Sequence, residues 1–347
     1  MATQTQERRL AFLATALPPI AWVVVFFLAP LAIVWAYSFG QNVGLTQVDI
    51  SGTFANYLRA LQPLYLGIFI KSIFEAGVTT LLCLIVGFPV ALAIVFASER
   101  LRPWMLLLVM LPFWTNLLIR TYALIAVLRT EGYVNFTLEW FWNNASWLMT
   151  LVGLQPLGDF TPLQLLYNNF AVVVGLVYVH LPFMVLPLYA ALDRLDKSLI
   201  EASLDLGAGH LRTLWSIVVP LALPGIISGI IITFVPALGA YLTPDLLGGP
   251  DSQMIANVIE RQFKKANDWP FGAALSFLLM YATFAAIALR AYSAAAKPPT
   301  VMGFSHGPAT RPPRIQSHVA DASLAVRRVL LPLRAARRAD RLQLQRL

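Results

Sequence analysis

Few residues in this 347-residue chain have the type and spacing that catalysis needs. The four histidines, His180, His210, His306 and His318, are scattered and form no ligand set. Cys83 is the single cysteine and sits in an apolar run, which leaves no disulfide framework and no thiolate metal site. None of the five lysines follows a glycine, so the chain lacks the G-x-x-x-x-G-K-[ST] phosphate loop and that route to ATP hydrolysis. It also lacks an H-E-x-x-H pair and a hydrolase serine elbow. The expectation is a chain that is not an enzyme and binds no cofactor of its own. What remains is mechanical. In residues 192–225, Ser198 and Glu201 stand in S-x-x-E spacing, which predicts a capping box. Leu199, Ile200, Ala202, Leu204 and Leu206 recur in a short helical run, and Gly207 suits a left-handed C-terminal cap. A second run from His210 to Val218 enters apolar sequence near Pro220. The pattern is a short helix, a glycine turn and a second helix.

The surrounding composition defines where such an element must sit. Hydrophobic residues make up 58% of the chain and charged residues 12%, with a mean hydropathy of +0.69. A soluble domain carries about 25% charged residues, so the solvent for this chain is a bilayer. Six runs are long and apolar enough to predict transmembrane helices, at 11–39, 68–97, 104–128, 166–191, 216–238 and 270–292. The first follows Arg8 and Arg9 but is too long for a signal-peptide core, which favours an uncleaved anchor. Segments 1–10, 98–103 and 192–215 hold seven basic residues in 40, whereas 40–67, 129–165 and 239–269 hold five in 96. That asymmetry places both termini in the cytoplasm, and the loop at about 193–218 on the same side. The net charge of +8 does not imply nucleic acid, because the basic residues flank apolar runs or lie in the last 55 residues. The expected organisation is a cytoplasmic N-terminus at 1–10, a six-helix transmembrane domain at 11–292 and a basic tail at 293–347. The tail opens with a Pro-rich linker and is read as disordered or as drawn to anionic lipid.

Within the spans, Pro30, Pro89, Pro112, Pro182, Pro187, Pro220, Pro224 and Pro236 each remove a backbone donor and can kink a helix. Gly225 and Gly229 form a G-x-x-x-G pair that allows close backbone approach. Arg120 is a costly charge within the third span, and Glu75 in the second is its expected partner, with snorkelling to the surface as the other reading. The outer insert 133–160 contains Trp140, Trp142 and Trp147 but is interrupted by Asn143, Asn144 and Gly153, which predicts an interfacial helix.

The loop also carries a resemblance. Glu201-Ala202-Ser203, then Leu206-Gly207-Ala208, Ile217, Pro220 and Pro224 resemble the EAA loop of binding-protein-dependent ABC importer permeases. Ser203 departs mildly from the usual Ala. The stretches 111–123, 175–202 and 257–274 resemble the spermidine/putrescine-type permeases, specifically the first of their two permease subunits, and the likeness runs over roughly 20–292. It implies an all-α membrane protein of the ABC importer type I permease class in the bacterial inner membrane. In that family Glu201, Ala202, Ser203, Gly207, Ala208 and Pro220 would form the element that docks onto the ATPase. The implied partners are a cytoplasmic ABC ATPase dimer, which uses ATP and magnesium, a second homologous permease subunit and an outer substrate-binding protein. A polyamine path needs aromatic faces and a few acceptors, for which Trp114, Asn116, Tyr122, Tyr178, Tyr241 and Asp245 are the candidates near the outer ends of spans. Other small solutes, such as iron(III) complexes, sulfate or organic cations, remain open at this point. An ion-driven secondary transporter would want buried acidic relays and repeats, which the spans do not offer.

Overall fold

The computed structural model describes residues 15–44, 47–153, 155 and 157–295. Segment 1–10 and the tail from 296 onward, with His306 and His318, lie outside the described residues. The chain divides into two units, Met1–Leu289 and Arg290–Leu347. The first holds the helix bundle and the loops that join it.

Twelve helices, a single 3-10 turn at Pro250–Ser252 and one small hairpin occur among the described residues. α1 spans Thr15–Tyr37. It leads into an antiparallel hairpin, β1 (Gln41–Val43) with β2 (Gln47–Asp49), paired Asn42 to Val48. This hairpin is the one departure from helix among the regular elements of the described residues, and the fold is helical as expected. Then come α2 (Ala55–Ala60), α3 (Pro63–Phe96), α4 (Arg102–Trp114), α5 (Leu117–Leu128), α6 (Tyr133–Leu151), α7 (Asn169–Leu192) and α8 (Lys197–Asp205). The chain finishes with α9 (His210–Leu238), α10 (Leu242–Leu247), α11 (Ile255–Lys264) and α12 (Trp269–Ala295). Four of these, α1, α3, α7 and α9, are long and apolar enough to cross a membrane.

The expected span at 104–128 is not one straight helix. α4 ends at Trp114, the chain restarts as helix at Leu117, and the stretch Leu117–Leu151 runs at 96° to α4. Counted as one broken span, the pair makes a fifth crossing. The physical reason lies in a few residues. Pro112 cannot donate a backbone hydrogen bond, the Thr115 hydroxyl turns back to the Pro112 carbonyl at 2.7 Å, and the Asn116 side chain accepts from the Leu118 amide at 2.8 Å as a new N-cap. Of α12, the stretch Trp269–Ala285 is apolar but shorter than the others.

Helices α3, α7 and α9 form the centre of the fold. Cys83, Ala91, Ile94 and Val95 of α3 meet Met184, Val185, Leu188 and Leu192 of α7 and Val218 and Ala222 of α9. In lipid, helices gain little from apolar burial as such, and close packing on small residues holds them together. The glycine pair provides this. A Cβ at Gly225 would collide with Ala191 and the Pro187 carbonyl, and one at Gly229 would lie 2.8 Å from the Met184 sulfur. Conversely, α1 between Ala29 and Tyr37 buries nothing, with Trp35 46% exposed. That surface is a bilayer or partner surface.

Two helices contain a wide turn with an extra residue, Val24–Leu28 in α1 and Leu214–Val218 in α9. Each is followed two residues later by a proline, Pro30 or Pro220. A proline ring presses on the carbonyl four residues back and offers it no donor. Widening the turn moves that carbonyl aside, and the amide before the proline bonds five residues back instead, Ala29 to Val24 and Val219 to Leu214.

Candidate functional site

The loop between α7 and α9 is built as expected in outline and differently in one detail. Ser198 does not cap α8. Asp196 does, accepting from the Ser198 amide at 3.0 Å. That bond holds the Asp196 carboxyl below its ordinary range. Starting the helix two residues earlier leaves Glu201 exposed on its surface with no capping duty. The C-terminal end follows the glycine prediction. Gly207 has φ +84°, the Ala208 amide reaches the Ser203 carbonyl at 3.1 Å, and the Gly207 amide reaches the Leu204 carbonyl at 2.9 Å. These are the two bonds of a Schellman cap. A Cβ on Gly207 would meet nothing within 4 Å, so the glycine is required by its backbone angle alone.

The two short helices are then fixed to each other and to the bundle. The Ser203 hydroxyl lies 2.9 Å from that of Thr213, which is 3% exposed. Leu195, Ile200 and Leu214 pack on the core formed by Val95, Leu192 and Val218. Behind them, Arg102 donates to Asp193 at 3.0 Å and to the Val95 carbonyl at 2.9 Å, joining the ends of α3 and α7 to the start of α4. The side facing away carries Glu201 and Ala202 with three large apolar residues, Leu206 at 89%, Leu211 at 75% and Trp215 at 68% exposure. A rigid base with an exposed apolar and acidic ridge is suited to being gripped by another protein. Pro220 is exposed beyond the wide turn.

The path candidates fall into two groups. Trp114, Asn116 and Tyr178 gather at the break between α4 and α5, with Arg120 among them. Arg120 does not pair with Glu75 and does not snorkel. It is 6% exposed, donates to the Thr115 carbonyl at 2.8 Å and stands 5.9 Å from the Tyr178 ring. Glu75 instead faces Lys71 one turn earlier, at 3.6 Å. The expected pair fails because the helix break places open carbonyls nearer to Arg120 than any carboxylate. Lys71 also donates to the Asp251 carbonyl, and Ser72 accepts from the Ile255 amide at 2.7 Å, so α3 holds the start of α11.

The second group is Tyr241 and Asp245. Asp245 lies in α10 and faces Arg261 at 3.7 Å, while Lys264 sits 5.7 Å from the Tyr241 ring and 3.0 Å from Glu260. Both groups suited to a cation thus already stand opposite a cation of the chain itself. Tyr122 is 58% exposed and joins neither group. Arg102, Asp193 and Asp196 escape the sequence reading because nothing in their spacing marks contacts made across 91 residues or at a helix start.

Several apolar helices around a glycine-lined seam, one broken span and an exposed two-helix loop define a multi-pass helical membrane protein. Residues 83–297 match the family described as binding-protein-dependent transport system inner membrane component, and the chain belongs to that family. It is a multi-pass protein of the inner membrane. Among its relatives, the spermidine/putrescine transport system permease protein PotB of Escherichia coli K12 is 40% identical over 260 residues, 75% of this chain and 89% of the relative. The protein of the same name from Haemophilus influenzae is 37% identical over 256 residues, 74% and 84% of the two chains. The inner membrane ABC transporter permease protein YdcU of Escherichia coli K12 is 31% identical over 271 residues, 76% and 83%. A bacterial ABC transporter that imports the acidic polysaccharide alginate shares the fold, with a TM-score of 0.63 at 16% identity, over 84% of this chain and 98% of that one.

Proposed function

We propose that this chain is a permease subunit of an ATP-driven, binding-protein-dependent importer of polyamines of the spermidine/putrescine class. The carrying observation is the exposed ridge of α8 and its turn, Glu201, Ala202 and Leu206, mounted rigidly through Ser203, Thr213 and Gly207 on the end of α9. The relatives named for spermidine and putrescine support the substrate class. In this reading the chain crosses the membrane six times with both termini in the cytoplasm, counting α1, α3, the α4–α5 pair, α7, α9 and α12. Its permease domain is 11–292 and the tail from 293 takes no part in transport.

A cytoplasmic ATPase dimer grips the loop residues Glu201, Ala202, Ser203, Gly207 and Ala208. Closing on ATP and magnesium, it moves α9 beyond Pro220. A second permease subunit completes the path, and an outer binding protein delivers the polycation, which passes Trp114, Asn116, Tyr122, Tyr178, Tyr241 and Asp245. The loop biases the bundle between outward and inward states only as far as the ATPase contacts differ between them. No nucleotide or other cofactor binds this chain.

The test is uptake of radiolabelled spermidine into cells with the subunit deleted and restored, together with affinity purification of the chain. Restored uptake and co-purification of a P-loop ATPase are expected. Normal spermidine uptake in the deletion strain, with no other polyamine importer present, would defeat the reading.

A further inference from the structure

The outer insert carries a feature that loop coupling does not use. Between Thr130 and Asn168 the chain has no lysine or arginine, but it has Glu131, Glu139 and Asp159, in a protein of net charge +8. α6 and the extended segment after it enclose a groove lined by Leu138, Phe141, Trp142, Phe160, Leu163 and Asp159. Its aromatic wall is fixed in place. The Trp142 indole N–H donates to the Gly158 carbonyl at 2.8 Å, and the Trp142 and Phe160 rings stand 6.1 Å apart at 55°. The segment is anchored by Asn135, whose side chain accepts from the Leu163 amide at 2.9 Å and donates to the carbonyls of Thr130 and Leu163 at 3.0 and 2.9 Å. The Asp159 carboxylate is exposed at the groove and makes no ion pair or hydrogen bond among the described residues.

Aromatic faces held rigid beside one free carboxylate, with no competing cation, are the chemistry that holds an organic ammonium. We propose that this groove binds an alkylammonium group, with the ammonium against Asp159 and its alkyl chain on Phe141, Trp142 and Phe160. The contrast with Tyr241 and Asp245 is direct, since those already face Lys264 and Arg261. Resting on the importer reading, the inference makes the groove a first contact for the polycation outside the bundle.

The full chain in phosphatidylglycerol nanodiscs is titrated with radiolabelled putrescine. Asp159→Asn is expected to weaken binding about tenfold, Asp159→Glu to retain it, and Trp142→Phe to fall between, in the order of ring strength for a cation. Butane-1,4-diol, which has the chain length without the charge, is expected not to compete. Unchanged binding in Asp159→Asn, or equal competition by the diol, overturns the proposal. Repeating the titration in discs containing phosphatidylethanolamine separates two sources of the same group. Lost putrescine binding assigns the groove to the lipid headgroup, and retained binding assigns it to the free amine. Uptake by the complete transporter distinguishes the two levels of failure. If the wild-type transporter moves no polyamine, the importer reading falls while the disc titration stands. If it moves polyamine and Asp159→Asn binds as the wild type does, only the groove is wrong.

Discussion

Two of the chain's helix interruptions are built in opposite manners. Between α4 and α5 the break is made by side chains: the Thr115 hydroxyl, the Asn116 amide and the Arg120 guanidinium each occupy a backbone group freed near Pro112. Between α8 and α9 the turn is closed by backbone bonds, Gly207 and Ala208 forming a Schellman cap, with the Ser203–Thr213 bond tying the two helices across it. The difference lies in which groups are spent. At the α4–α5 break side chains are committed to freed backbone groups. At the α8–α9 turn the backbone satisfies itself, and the side chains of Glu201, Leu206 and Leu211 stay free for a partner.

Breaking the backbone-made turn has the largest expected effect. Gly207→Pro cannot adopt φ +84°, since proline holds φ near −65°. Uptake should be lost while the chain remains in the membrane, as measured by radiolabelled transport beside immunoblots of membrane fractions. Intact transport would show that the turn does not transmit force. Ala202→Trp sharpens the point, because Ala202 is exposed and its enlargement strains nothing within the chain. Uptake should fall at unchanged abundance, and stimulated ATPase activity should no longer follow substrate. On the side-chain-made break, Arg120→Met removes the donor to the Thr115 carbonyl and should cost about 1–3 kcal/mol, read as a lower melting temperature in detergent. Ser203→Ala leaves the buried Thr213 hydroxyl without its partner and should cost about 0.5–1.5 kcal/mol, visible as faster amide exchange across the turn. The smallest effect concerns acid. Asp196 titrates below its ordinary 3.8 because its charged form holds the Ser198 amide. Its cap is therefore fully present above pH 3.8 and is lost as pH falls through the lowered value. Amide exchange at Ser198 should accelerate there in the wild type and show no such step in Asp196→Asn.

The same contrast explains what the sequence could reveal. Gly207 is legible because a left-handed cap is a local requirement with one favoured residue. The G-x-x-x-G seam is legible for a similar reason, as Gly225 and Gly229 tolerate no side chain against α7. The cap at Asp196 is hidden because Ser198 with Glu201 also fits a capping pattern, and only the chain direction out of α7 chooses between them. The partners of Arg120 are hidden because sequence shows which charges lie in spans but not where the helix axis breaks. The hairpin of β1 and β2 is too short and exposed to leave a period-two apolar pattern.

The wide turn at Leu214–Val218 has one more consequence. An added residue advances a helix by about 100° about its axis. The part of α9 that meets Ser203 through Thr213 and the part that meets α7 through Gly225 and Gly229 are therefore set out of phase with each other by one residue. Deleting a single residue from 214–218 would restore an unbroken α-helical phase. Such a chain could keep the loop seated or the glycine seam closed, but not both.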